Sequence, residues 1–191
     1  PQDVHVLCDP VLGDFGRVYV HEDCLALFRD ILIPLADTIT PNAYEAQWLT
    51  GLEMRDKDDL LAIVRELHNL GPKNVIITST EWRQRFSFFS FEKGNVQFAV
   101  PSETFNRKFD GPGDVFSSLL MANMIRFPGE YEKIAARTVN STFAVLKKTC
   151  DNKLRELALP LAIQEMIEPT IHWRPIPLIQ FREAFASIER S

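Results

Sequence analysis

The sequence predicts an α/β layer protein. Two observations carry that expectation. Strand-like and helix-like stretches alternate along the 191 residues, and polar clusters recur just past the ends of the strand-like ones, where open α/β sheets bind ligands.

Taken in order, Val4 to Cys8 reads as a buried-type strand ending at Asp9-Pro10. Glu22 to Ile33 has helical periodicity and is stopped by Pro34; Asp37 to Ile39 is a short extended piece leading into Thr40-Pro41-Asn42. A short helix, Ala43 to Leu49, ends at Gly51. Asp56 to Leu70 is amphipathic, with acidic residues at its start and Gly71-Pro72 behind it, and Asn74 to Thr78 follows as a core strand. Arg85 to Phe91 and Val96 to Val100, divided by Glu92-Lys93-Gly94-Asn95, form a hairpin. Two long helices follow, Asp114 to Arg126 and Glu130 to Cys150, then a short one near Leu161 to Met166. Residues 1–168 are expected to form the α/β domain, incomplete at its N-terminus, and 169–191 an irregular tail. The abrupt opening on a strand suggests a piece of something longer.

Composition narrows the function classes. With 46% hydrophobic and 25% charged residues the chain has the profile of a globular protein, and a formal charge of -5 offers no basic field to a nucleic acid. No apolar run approaches a membrane span. Cys8, Cys24 and Cys150 are odd in number and widely spaced, which suits neither a disulfide framework nor a zinc site and suits a reducing, cytoplasmic compartment. Asn140-Ser141-Thr142 matches a glycosylation sequon inside a helical pattern and is read as a chance match.

The most pointed feature is Phe109-Asp110-Gly111-Pro112-Gly113-Asp114. Glycines let the backbone bend sharply towards a ligand, and a helix start offers unpaired N–H groups to an anion. A carboxylate there repels that anion unless its task is to take a proton from an incoming hydroxyl, which points to phosphoryl transfer onto an alcohol. The same residues also suit an ordinary turn and helix cap, and the turn alone does not separate the two readings. Three further clusters sit at strand ends: Asp9 and Asp14; Thr40, Asn42 and Glu45; Thr78 and Ser79. Carboxylates, hydroxyls and an amide suit hard cations and phosphates. No GxxxxGK[ST] loop occurs, so a triphosphate would be held by a helix start and metal ions.

The chain resembles the pyridoxal kinases of the ribokinase-like superfamily. The likeness lies in CDPVLGD at Cys8 to Asp14, YVHED at Tyr19 to Asp23, ADTITPNAYEAQWLTG at Ala36 to Gly51, GPKNVIITS at Gly71 to Ser79, and the FDGPGDVF turn. The resemblance implies a mostly parallel central sheet flanked by helices, lacking the family's first strands, and a homodimeric full-length parent. It implies ATP-dependent phosphorylation of the 5′-hydroxyl of pyridoxal and related B6 vitamers. By residue, it implies Asp114 as catalytic base and Gly111, Pro112 and Gly113 as an anion hole. Asp14 and Glu45 would organise Mg²⁺, partly through water, while Asp9, Thr40 and Thr78 would hold a monovalent cation such as K⁺. Asp9, Asp14, Tyr19, Asn42, Thr78 and Ser79 would approach the nucleotide phosphates, with Phe109 and Leu146 lining its adenine side; for the last two, plain core packing is an equal reading.

Two positions depart from the family pattern. Pro112 stands where Thr is usual, removing a hydroxyl and an N–H. The segment from Asp14 to Tyr19 is shorter than in mammalian members. Two other readings stand beside the kinase: a catalytically inactive, kinase-like fragment that binds or regulates, and a sister kinase for a hydroxymethylpyrimidine or a sugar.

Overall fold

A computed structural model describes residues 4–14, 16–82 and 84–178. It contains a mixed sheet of six strands in the order β1-β4-β5-β6-β7-β8 and a separate two-stranded ladder, β2-β3. The strands are β1 (Leu7–Cys8), β2 (Gly13–Asp14), β3 (Arg17–Val18), β4 (Thr38–Ile39), β5 (Asn74–Trp82), β6 (Gln84–Phe91), β7 (Val96–Pro101) and β8 (Ile176–Pro177). The helices are α1 (Asp23–Leu27), α2 (Ala43–Thr50), α3 (Lys57–Asn69), α4 (Pro112–Arg126), α5 (Tyr131–Asp151) and α6 (Ile163–Ile167). Two compact units result, one of residues 1–82 with 88–97, the other of 83–87 with 98–191.

In the first unit β1, β4 and β5 run parallel, with Leu7 opposite Thr38, Thr38 opposite Asn74 and Ile39 opposite Val75. Helix α3 explains itself. Leu60, Ile63, Val64 and Leu67 recur at the spacing of one helical face, and each is fully buried. Each such side chain contributes about 1.5–3 kcal/mol of hydrophobic burial. Asp56 caps this helix, its Oδ1 accepting from Asp59 N–H at 2.9 Å. Val75, Ile76 and Ile77 of β5 and Phe88, Phe89 and Phe91 of β6 are likewise at most 1% exposed, the signature of strands covered on both faces.

Thr38, Asn74 and His68 are satisfied within this core. Thr38 Oγ1 lies 2.8 Å from His5 Nε2 and accepts from Asn74 Nδ2 at 3.0 Å. His68 lies between the Pro72 carbonyl, 3.0 Å from Nδ1, and the Ser90 hydroxyl, 2.8 Å from Nε2. Burial is the main force that lowers the His68 pKa, and nearby Lys93 adds to it.

The expected helix from Glu22 begins at Asp23, widens its turns over Phe28–Leu32 and closes tightly at Ile33–Leu35. Of its apolar residues Ile33 is buried, whereas Leu27, Ile31, Leu32 and Leu35 are exposed. The expected strand from Val4 shortens to Leu7–Cys8, with the Val6 carbonyl before it accepting from the Asp37 and Thr38 N–H groups. Conversely β5 runs on to Trp82, and the β-branched Thr78 and Thr80 favour that extension. Thr78 and Ser79 therefore lie within the strand and not beyond its end.

In the second unit α4 and α5 pack against each other, and much of their common surface is polar. Arg137, 7% exposed, donates from Nε to Asn123 Oδ1 at 3.3 Å, from Nη1 to Glu168 Oε1 at 2.9 Å and from Nη2 to the Ile167 carbonyl. Thr138, Thr142 and Thr149 bond back to the carbonyl four residues earlier, which keeps hydroxyls satisfied inside a helix. Asn140 is 1% exposed; its Oδ1 accepts from His172 and Trp173 N–H, and its Nδ2 donates to the Ala136 and Trp173 carbonyls. The segment expected to be irregular from residue 169 is thereby tied to α5, and it supplies β8, antiparallel to β7 with Ala99 opposite Ile176. The remainder of that expected tail, from residue 179, lies outside the described residues.

Candidate functional site

The candidate residues fall into two sets, one in each unit. The first is built around the N-terminus of α2. Asn42 is its N-cap, and Asn42 Oδ1 accepts from Tyr44 N–H at 2.9 Å and from Glu45 N–H at 3.0 Å. Glu45 Oε2 returns the favour by accepting from Asn42 N–H at 2.8 Å, which completes a capping box. The other oxygen reaches outside the helix: Oε1 accepts from Leu12 N–H at 2.9 Å and from Gly13 N–H at 3.3 Å. Asn42 Nδ2 closes the circuit by donating to the Gly13 carbonyl at 2.8 Å. The loop from Cys8 to Asp14 is thus fastened to α2.

Glu45 is 4% exposed, and burial raises its pKa to about 7, opposed by the three N–H bonds and helped by the charge of Asp9. Burial, with Asp9 beside it, also pushes the Cys8 thiol up to about 11, so this cysteine is not a nucleophile at neutral pH. Asp9 and Asp14 are half-buried on the same loop. Thr40 follows β4, its N–H donating to the Cys8 carbonyl at 3.2 Å, and its hydroxyl oxygen is buried without a hydrogen-bond partner. Thr78 is drawn to the same strand ends by its N–H, which donates to the Pro41 carbonyl at 3.0 Å. Tyr19 is anchored by its backbone, N–H to the Leu12 carbonyl at 2.8 Å, and the residue is 58% exposed.

These donors are oxygens, as Mg²⁺ and alkali cations require, and the solitary buried hydroxyl of Thr40 is the kind of atom a ligand satisfies. Among the described residues no group of three or more His, Cys, Asp or Glu could hold a metal unaided.

The second set is the start of α4. Gly111 adopts φ 81°, ψ 17°, a left-handed conformation that glycine alone takes freely, and serves as N-cap. Pro112 occupies the first helical position, where a missing N–H costs nothing, so the helix begins two residues before the expected Asp114. No side chain caps it. The first-turn N–H groups of Gly113 and Asp114 have no carbonyl within the helix to meet. Asp114 is exposed, and a Cβ added to Gly111 would lie 3.5 Å from Asp114 Oδ2. The carboxylate therefore stands over the glycine turn. Phe109 packs edge-on against Phe105 at 5.6 Å, with the Arg107 guanidinium 4.8 Å from its ring. Leu146 is half-buried on α5.

A family model described as phosphomethylpyrimidine kinase matches residues 2–141. The chain belongs to that family, one of phosphotransferase enzymes. It is 34% identical over 154 residues to the pyridoxal kinase of Arabidopsis thaliana, a match covering 78% of this chain and 50% of the relative. It is also 34% identical over 166 residues to the pyridoxal kinase of Homo sapiens, covering 78% of this chain and 53% of the relative. The structure of Plasmodium falciparum PdxK with ligands AMP-PNP and PL superposes with a TM-score of 0.80 at 30% identity, over 90% of this chain and 60% of that one. These findings support the pyridoxal kinase likeness and the ribokinase-like α/β fold expected from the sequence. The chain spans about half the length of the curated relatives it matches. Among the described residues no helix is long and apolar enough to cross a membrane.

Sequence reasoning missed Leu12 and Gly13, which act through their backbone N–H groups. The only available signal was the glycine itself: a Cβ at Gly13 would run into the Arg17 carbonyl and come within 2.9 Å of Trp48 Cζ3.

Proposed function

We propose that the protein to which this chain belongs transfers the γ-phosphoryl group of ATP to the 5′-hydroxyl of pyridoxal, and that this chain carries the base and the phosphate-side residues. The observation that carries the reading is the exposed Asp114 carboxylate over an uncapped, glycine-led helix start. In the transfer, the hydroxyl oxygen bonds to the γ-phosphorus, its proton passes to Asp114, and the bond to the β-phosphate oxygen breaks to release ADP. The N–H groups of Gly113 and Asp114 face the charge that gathers on the moving phosphoryl group, with Gly111 shaping the turn. Asn42, Ser79 and Tyr19 serve the nucleotide side, and Phe109 and Leu146 the adenine.

Mg²⁺, when bound, neutralises phosphate charge; Asp14 and Glu45 would organise it, partly through water. Asp9, Thr40 and Thr78 would hold a monovalent cation such as K⁺, a role supported by the unpartnered Thr40 hydroxyl. The test is pyridoxal 5′-phosphate formation by the intact protein with saturating pyridoxal and MgATP. Asp114→Asn lowers turnover by roughly two orders of magnitude or more, in keeping with general-base contributions, while ATP binding survives. Undiminished turnover refutes the assignment. The family description favours one second reading, a hydroxymethylpyrimidine as acceptor, and turnover of that alcohol in preference to pyridoxal would select it.

A further inference from the structure

We propose that Glu45 serves the metal and phosphate site through the backbone of the Cys8–Asp14 loop, as a positioning residue whose counterpart is Gly13. The inference rests on the function proposed above and deepens it. A carboxylate offers about four acceptor sites. Three are taken by backbone N–H groups from two separate segments, Asn42 on Oε2 and Leu12 with Gly13 on Oε1. The side chain is 4% exposed, so little of it faces outward.

The loop is also held by backbone bonds, Val11 N–H to the Asp9 carbonyl at 3.0 Å, Tyr19 N–H to the Leu12 carbonyl at 2.8 Å and Thr40 N–H to the Cys8 carbonyl at 3.2 Å. Its regular structure is the two-residue ladder β2-β3, Gly13 opposite Val18 and Asp14 opposite Arg17. The Leu12 N–H is shared with the Pro10 carbonyl at 2.7 Å, which leaves Gly13 as the cleaner contact with Glu45. Gly13 fits because it lacks a side chain: Trp48 of α2 closes on it from one side and the Arg17 carbonyl from another. Asn42 completes the latch on the Gly13 carbonyl. Asp14 is the next residue in the chain, so its placement is set by this latch. Loss of either half, the carboxylate of Glu45 or the small size of Gly13, releases the same backbone.

The experiment compares Glu45→Ala, Glu45→Gln, Gly13→Ala and the Gly13→Ala/Glu45→Ala pair in the intact protein. Backbone amide exchange is read without metal or nucleotide, and ADP binding is then titrated calorimetrically with Mg²⁺. Glu45→Ala accelerates exchange at Gly13 by about tenfold or more, as loss of a charge-assisted hydrogen bond requires, with Ile76 and Ile77 of the core unchanged. It weakens Mg·ADP binding by about tenfold, and Gly13→Ala does the same although every carboxylate remains. The double variant is no worse than either single one. Glu45→Gln keeps one acceptor oxygen for Leu12 and Gly13 but sets its NH2 group against the Asn42 N–H, so exchange at Gly13 stays within about threefold of the unsubstituted protein while exchange at Asn42 rises.

Three results overturn the proposal: Gly13→Ala that binds Mg·ADP normally, losses that multiply in the double variant, or a Glu45→Ala protein in which Gly13 is still protected. If Glu45→Ala does not fold, the Gln and Gly13 arms decide. If the unsubstituted protein binds no Mg·ADP, the functional reading fails, and the exchange arm still judges the latch.

Discussion

Two helix starts in this molecule face the same electrostatic problem and solve it in opposite ways. Both expose N–H groups and positive dipole character. At α2 the chain answers with its own side chains, Asn42 Oδ1 on the Tyr44 and Glu45 N–H groups and Glu45 Oε2 on that of Asn42. At α4 Gly111 and Pro112 turn the backbone, and no side chain caps it. A start closed from within spends its donors on the fold, whereas an open one retains them for an anion from outside. The contrast separates residues whose loss unfolds from residues whose loss disarms.

The largest effect that could break this contrast is at Asp114. Its replacement by Asn, expected to cost roughly two orders of magnitude in turnover, should leave the unfolding free energy within about 0.5 kcal/mol, as for an ordinary exposed position. Chemical denaturation beside the activity assay measures both. A large stability loss would mean that the open start is closed after all. At α2 the balance reverses: Asn42→Ala removes an N-cap and should destabilise by about 1–2 kcal/mol, read from the urea midpoint at constant slope.

Gly111→Ala tests the turn itself. Its φ of 81° puts a Cβ in the left-handed region, at a cost of about 1–2 kcal/mol, while the nearest side-chain atom, Asp114 Oδ2 at 3.5 Å, leaves ordinary contact distance. A melting temperature unchanged by the substitution would show that the turn relaxes freely.

The smallest effect concerns pH and a buried histidine that takes no part in either helix start. His68 is held neutral between Pro72 and Ser90, with its pKa below the ordinary histidine value. An unfolded chain therefore takes up a proton more readily near pH 6 than the folded one. The stability His68 contributes is complete above its unfolded pKa of about 6.5 and declines as pH falls below it. His68→Gln should flatten the fall in melting temperature between pH 7 and 5. An identical slope in both proteins would remove His68 from the account.

Much of the fold was legible where the signal was local. The amphipathic period marked α3, Gly51 marked the end of α2, and the Glu92 to Asn95 turn marked the hairpin. What escaped depends on distant partners. Strands of two residues, such as β2, β3 and β8, carry no period to read and exist only through their neighbours. The start of α4 was placed late because proline, taken as part of the turn, is also a good first helical residue. Within the site, residue types were readable at Asp114, Asn42 and Glu45. The bonds from Leu12 and Gly13 to Glu45 were not, since they span 33 and 32 positions and use backbone atoms that every residue possesses.

Asn140 carries a consequence of its own. Its carboxamide behaves as one more peptide group, pairing on both edges with the chain at His172 and Trp173. An oligosaccharyltransferase needs the same Nδ2 that donates to Ala136 and Trp173, so the folded protein presents no acceptor. Sugar found on Asn140 after passage through a secretory host would therefore date its attachment to a moment before residues 172 and 173 had docked. The occupancy of that sequon, measured by glycopeptide mass spectrometry, becomes a clock for how late the end of this chain finds its place.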